Sequence, residues 1–169
     1  MQPTGPYQFR KATMDDLARL TTWQAAPHVS QWWGAAAPYD RKALRDPRVS
    51  RWIVSFDGRP FAFMQDYTPH GWNDHHFAHL PNGSRGIDQF IGDPEMIGKG
   101  HGTAFIGARM QVLFAVGAPV IATDPHPRNA RAIAAYRKLG FAPSGPPQET
   151  RWGLILPMTA PARSDLSQT

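Results

Sequence analysis

The sequence predicts a single α/β domain in which short strands alternate with helices around one sheet. Three observations carry that reading. Residues 51–67 run as two apolar strands about an Asp57-Gly58 turn. Glycines 98, 100 and 102 follow a strand and open a long helix. A short apolar strand over 119–123 precedes a second helix over 128–139. At 169 residues the chain has the length of one domain and can bury a sizeable core without disulfides or structural metal.

Each element follows from local chemistry. Residues 1–6 and 160–169 are rich in Pro, Ser, Thr, Gln or Gly and read as flexible ends, leaving 7–159 as the domain. Residues 7–12 alternate as a first strand. Thr13-Met-Asp-Asp16 is a near capping box that opens a helix through about Trp23, with Leu17 and Leu20 on its apolar stripe. Pro27 starts a second short helix through Trp33, ended by Gly34. The hairpin comes next. A long polar and aromatic loop, 68–84, carries His70, Trp72, His75, His76 and His79, and loops of that length are often functional. A strand over 85–91 leads to the glycine run, and Phe105, Ala108, Val112, Leu113 and Val116 recur at helical spacing after it. Gly140 closes the helix over 128–139, and strands near Phe141 and over 152–156 end the domain.

Composition narrows the function. Hydrophobic residues at 41% and charged residues at 18% describe a globular chain, and no apolar run reaches membrane-spanning length. The first twelve residues lack an apolar signal-peptide core, so the expectation is a cytoplasmic protein without a membrane partner. The absence of cysteine removes disulfides and any thiol nucleophile. Eighteen Lys and Arg against thirteen Asp and Glu give +5, spread too thinly for a nucleic-acid stripe yet suited to an anionic small molecule. His75, His76 and His79 lack a metal-ligand scaffold, so no metal is expected and the loop reads as surface. Monomer and homodimer both stay open.

The glycine loop Ile97-Gly-Lys-Gly-His-Gly-Thr103 lets backbone amides approach a ligand at the positive end of a helix, where a pyrophosphate is the natural guest. It is neither a Walker loop nor a dinucleotide fingerprint. One strand later, Asp124-Pro-His-Pro-Arg-Asn129 opens a helix on which Tyr136 lies two turns below Asn129. Together, Gly98-Lys-Gly-His-Gly102 and Asn129…Tyr136…Gly140-Phe141 resemble the GNAT superfamily of acyl-CoA-dependent N-acetyltransferases, over most of the chain. A narrower likeness joins His28-Val-Ser-Gln-Trp-Trp-Gly34, Arg85-Gly-Ile-Asp-Gln-Phe90 and Thr123-Asp-Pro to these. In that order they are similar to aminoglycoside 6′-N-acetyltransferases and to some siderophore-type hydroxylysine acetylases.

The resemblance implies a mixed, mostly antiparallel sheet flanked by helices, and acetyl-CoA as co-substrate. It implies that Phe90, Ile91, Gly98, Lys99, Gly100, His101, Gly102, Thr103 and Asn129 hold the coenzyme. Asp88 would engage the acceptor amine and help remove its proton, and Tyr136 would protonate the departing thiolate. A charged residue such as Asp88 inside an apolar strand otherwise reads as a buried partner for Arg85, and Tyr136 as a core aromatic. Trp33, Trp72, Asp74, Asp88 and Asp124 would line the acceptor cleft, with Trp32 or Trp33 packed inward and Trp33 favoured for the cleft. Asp66 and Glu149 are further carboxylates for a polycationic sugar. The expected activity is acetyl transfer to the 6′-amino group of an aminoglycoside antibiotic, conferring resistance. A hydroxylysine or peptide amine is the alternative acceptor, and a non-catalytic CoA-binding module the alternative of another class.

Overall fold

The computed structural model describes residues 5–33 and 39–163. Residues 1–4, Gly34 and residues 164–169, on which the expected N-terminal tail, helix stop and C-terminal tail partly rest, lie outside the described residues. Strand β1 (Tyr7–Lys11) leads to a 3-10 turn over Met14–Asp16, where Thr13 and Asp16 form the capping box. Helices α1 (Leu17–Ala25) and α2 (Pro27–Trp33) follow, then a short α3 (Arg41–Leu44) capped by Asp40. Strands β2 (Val49–Phe56) and β3 (Arg59–Tyr67) form the hairpin. Asp57 and Gly58 at φ 51 and 80 supply the left-handed pair that a two-residue turn requires.

Strand β4 (Arg85–Ile91) leads through the glycine loop into α4 (His101–Ala115). Strand β5 (Val120–Thr123) leads to α5 (Ala130–Lys138), and β6 (Ala142–Pro143) follows. A separate hairpin, β7 (Gln148–Thr150) and β8 (Gly153–Ile155), precedes β9 (Met158–Pro161). The main sheet runs β1-β2-β3-β4-β5-β9-β6, with only β4 and β5 parallel. The mixed, mostly antiparallel sheet is therefore present. Two details differ from the sequence reading. The strand expected over 152–156 belongs to the outlying hairpin, and β9 carries the ladder two residues into the expected tail by pairing Ala160 with Ile121.

Side-chain alternation sorts the sheet into two faces. Ile53 and Phe63 pack under Leu20 with Trp33 and Tyr39, so α1, α2 and the segment ahead of α3 cover one face. Phe105, Ile106, Met110 and Leu113 of α4 cover the other, with Ile87, Met64 and Tyr136. Val116, expected on the apolar stripe, is exposed because α4 ends at Ala115, whereas Arg109 is buried. Asp66, on the α4 face, explains that arginine. It accepts from Arg109 Nη2 at 2.8 Å, Arg85 Nη2 at 2.6 Å and Trp52 Nε1 at 2.8 Å. Arg85 thus neutralises Asp66 and not Asp88, and Asp66 is withdrawn from any acceptor site.

Candidate active site

Strands β4 and β5 pair only through Arg85–Ile121 and Gly86–Ala122, after which β4 continues to Ile91 with β3 on its other edge. A gap therefore opens beside residues 88–91. Gly92 N–H donates to Phe61 O at 2.8 Å. Antiparallel bonding alternates, so the backbones of Gln89 and Ile91 face away from β3 toward the gap. Ile91 O there accepts from His28 Nε2 at 2.9 Å, and Ile87 O from the Thr123 hydroxyl at 3.2 Å.

The glycine loop lies at one side of this gap. Gly98 and Gly100 sit at φ 75 and 81, and Gly100 is the N-cap of α4 with no side-chain cap of its own. The α4 first-turn amides thus have no side-chain acceptor at the cap. A Cβ on Gly102 would meet the Ile91 side chain at 3.7 Å, which ties the loop to the end of β4. Arg131 Nη2 lies 3.5 Å from where a Gly98 Cβ would stand, bringing a cation that the sequence reading missed to the loop. Its place in the first turn of α5 gives no sequence signal. Lys99 is exposed at the same loop. His101 behaves differently. Its Nδ1 bonds to the Tyr7 hydroxyl at 2.8 Å and its ring packs on Phe56 and Phe61, so that nitrogen is already engaged. Asn129 spends its side-chain oxygen capping α5 through Ala132 N–H at 3.2 Å.

Tyr136 is buried beside the gap on the α4 face, edge-on to Phe141, and its hydroxyl accepts from Gln89 Nε2. Burial raises its pKa far above the usual phenol value, so it stays protonated. On the opposite face stand Asp88 and Asp124. Their carboxyls lie close enough to interact directly, and two like charges so placed favour retention of one proton by the pair. Burial first, and for Asp88 the charge of Asp124 second, push both above the ordinary carboxylate range. Gln65 Nε2 donates to Asp88 Oδ2 at 2.9 Å. Among the described residues, Gln65 Oε1 and Gln89 Oε1 are buried without partners, one on each face of the sheet beside Asp88. Such acceptors suit a ligand's N–H groups.

The loop 68–84 closes over the Asp124 side of the sheet, and it is not the surface loop expected. His75, Phe77 and Ser84 are buried, and the His76 side chain is only 7% exposed. His76 Nε2 donates to Asp124 Oδ2 at 2.8 Å. No group of three His, Asp or Glu among the described residues is arranged to hold a metal. Tyr67 lies across β4 so closely that a Cβ on Gly86 would fall 2.1 Å from its ring. Trp72 packs on Tyr67 and under the Arg48 guanidinium, and Trp152 on the β7–β8 turn is 53% exposed over His75. Asp74 is exposed and ion-paired with Arg151, at the rim and not beside Asp88. Trp33 turns inward onto Phe63 and Phe90, whereas Trp32 is 40% exposed beside His126. The α2 rotation thus gives the open position to Trp32. Phe90 likewise turns its side chain toward α1 and α2, against Trp23 and Trp33 and away from α4. A cleft of about 380 Å³ beside Asp66, Arg85 and Arg109 lies at the far end of α4 and belongs to the buried ion cluster.

A glycine loop and a carboxyl pair meet across one open strand edge, and residues 12–148 match the acetyltransferase (GNAT) domain family. The chain belongs to the GNAT family. Among curated GNAT relatives, it is 34% identical over 149 residues to an aminoglycoside N(6′)-acetyltransferase type 1 of Klebsiella pneumoniae, covering 81% of this chain and 74% of that one. Two solved structures resemble it. Aminoglycoside acetyltransferase AAC(6′)-Ib with coenzyme A and kanamycin superposes with a TM-score of 0.81 at 31% identity, covering 92% of this chain and 94% of that one. The same enzyme with paromomycin and acetyl-CoA gives 0.82 at 32%, covering 95% and 99%. Among the described residues, no helix is long and apolar enough to cross a membrane.

Proposed function

We propose that this GNAT protein transfers the acetyl group of acetyl-CoA directly to the 6′-amino group of an aminoglycoside, in the cytoplasm, and thereby confers resistance. The observation that carries the proposal is the Asp88–Asp124 pair on one face of the β4 edge, opposite Tyr136 and the glycine loop on the other. The kinship with aminoglycoside acetyltransferases supports it.

The residues suit the donor. Amides of the α4 first turn, with Gly98, Gly100, Gly102 and Thr103 shaping the loop, hold the pyrophosphate, and Lys99 and Arg131 add positive charge. Asn129 contributes by fixing the start of α5, and with it Tyr136. The Ile91 N–H at the gap polarises the thioester carbonyl. The acceptor ammonium takes the place of the proton shared by Asp88 and Asp124. Of the two protons that its nitrogen loses on forming the amide, Tyr136 delivers one to the leaving thiolate and Asp88 passes the other to solvent. With no cysteine in the chain, transfer runs without a thioester on the protein.

Two carboxyls, rather than the five counted in the sequence, therefore define the amine subsite. Trp72 and Asp74 contribute at its rim, the latter only when Arg151 releases it. That pairing also favours a second reading, an acceptor with fewer charges such as hydroxylysine. The test is acetyl-CoA turnover on kanamycin or tobramycin beside hydroxylysine and a peptide amine, with product position assigned by NMR. A 6′-acetylated aminoglycoside is expected. Turnover of hydroxylysine alone moves the protein to the second reading, and coenzyme binding without any turnover makes it a non-catalytic module.

A further inference from the structure

The His76 ring is held on three sides. It stacks on His75 with centroids 4.3 Å apart and an interplanar angle of 23°, lies 4.5 Å from Phe77, and is closed off by Trp152 at 5.8 Å. His75 is fixed in turn, because its Nδ1 accepts the Phe77 backbone N–H at 3.0 Å. A side chain so enclosed aims one N–H at one oxygen, Asp124 Oδ2. Neither spacing nor composition distinguishes His76 from its neighbours His75 and His79.

We infer that His76 is a positioning residue for the acceptor amine, acting through Asp124: its neutral imidazole donates a fixed hydrogen bond that holds Asp124 as the ionised member of the carboxyl pair. The resting proton then stays on Asp88, and the ammonium meets a carboxylate of defined direction. This deepens the proposed acetyltransferase reading and rests on it. Among the groups facing His76, the carboxyls favour an imidazolium, and burial outweighs them. Asp124 and Asp88 approach from β5 and β4, and His75 from its own loop. Arg151 and Asp74 reach His75 rather than His76, and the Tyr67 phenol from β3 stays un-ionised by burial. Burial lowers the His76 pKa below its ordinary 6.5, which keeps the ring neutral at pH 7.

The test compares His76→Phe with His76→Gln, whose amide donates an N–H without titrating. Loss of a hydrogen bond to a charged group is worth about tenfold or more in binding, so His76→Phe should raise the acceptor KM by about that factor. Without its donor the Asp124 carboxylate is less stabilised, and the acid limb of kcat/KM should move about one pH unit toward alkaline. The KM for acetyl-CoA should not change, and His76→Gln should restore most of the acceptor KM and the profile. An active wild type with a His76→Phe variant of unchanged acceptor KM and pH profile overturns this inference alone. A wild type that acetylates no amine overturns the functional reading as well. Independently of any variant, nitrogen-15 NMR of the wild type should find His76 neutral at pH 7 with its proton on Nε2. An imidazolium, or a proton on Nδ1, overturns the assignment.

Discussion

Asp88→Asn should stabilise the protein against heat while it disables transfer, and the gain should grow with pH. Asparagine imitates the protonated carboxyl. It still accepts from Gln65 and can donate to Asp124, so little is lost where Asp88 is already neutral. A carboxyl whose pKa rises on folding contributes its full stability below its unfolded pKa, near 3.9, and loses it as pH climbs through the folded value. Asp88 is lifted from 3.8 to about 8. At about 1.4 kcal/mol per pKa unit, the ceiling is about 6 kcal/mol. Sharing of one proton with Asp124, and residual solvent contact, reduce this to about 2–3 kcal/mol. For a chain of this length that corresponds to roughly 5–10 °C in Tm. Thermal unfolding of both proteins between pH 4 and pH 8.5 should show nearly equal midpoints at the acid end and the variant ahead by that margin at the alkaline end. A pH-independent difference, or a wild type that gains on the variant with rising pH, refutes the shared-proton account.

Other substitutions separate the parts of the site. Tyr136→Phe should lower kcat by about 10² or more with coenzyme affinity unchanged, as steady-state kinetics and calorimetry will report. Gly100→Val should weaken acetyl-CoA binding by about tenfold or more, because Gly100 sits at φ 81. Nothing stands within 4 Å of its missing Cβ, so circular dichroism should report an intact fold. Gly86→Ala drives a methyl into the Tyr67 ring and should cost about 1–3 kcal/mol in denaturant unfolding, with acceptor kcat/KM falling more than the coenzyme KM rises.

Several elements were legible in the sequence because their chemistry is local. The Asp57-Gly58 turn, the Thr13–Asp16 box, the glycine loop and the Asn129 cap each depend on a few consecutive residues whose backbone preferences do not wait for tertiary contacts. Periodicity located α4 and α5 for the same reason, although it put Val116 inside and left Arg109 unnoticed, since a buried charge has its partner 43 residues away at Asp66. The surroundings of Asp88 are made of long-range pairings. Asp88 meets Asp124 only because β4 and β5 are parallel neighbours, and His76 reaches Asp124 across 48 residues. Whether a loop histidine is solvated or enclosed depends on Trp152 from a hairpin that sequence pattern assigned to the main sheet. The sequence by itself determined one α/β domain that carries a glycine loop ahead of a long helix and an aspartate inside an apolar strand. Only the tertiary structure decided which carboxyls share a proton, which tryptophan faces out and which charges are already paired, because burial and distance between remote segments set those energies.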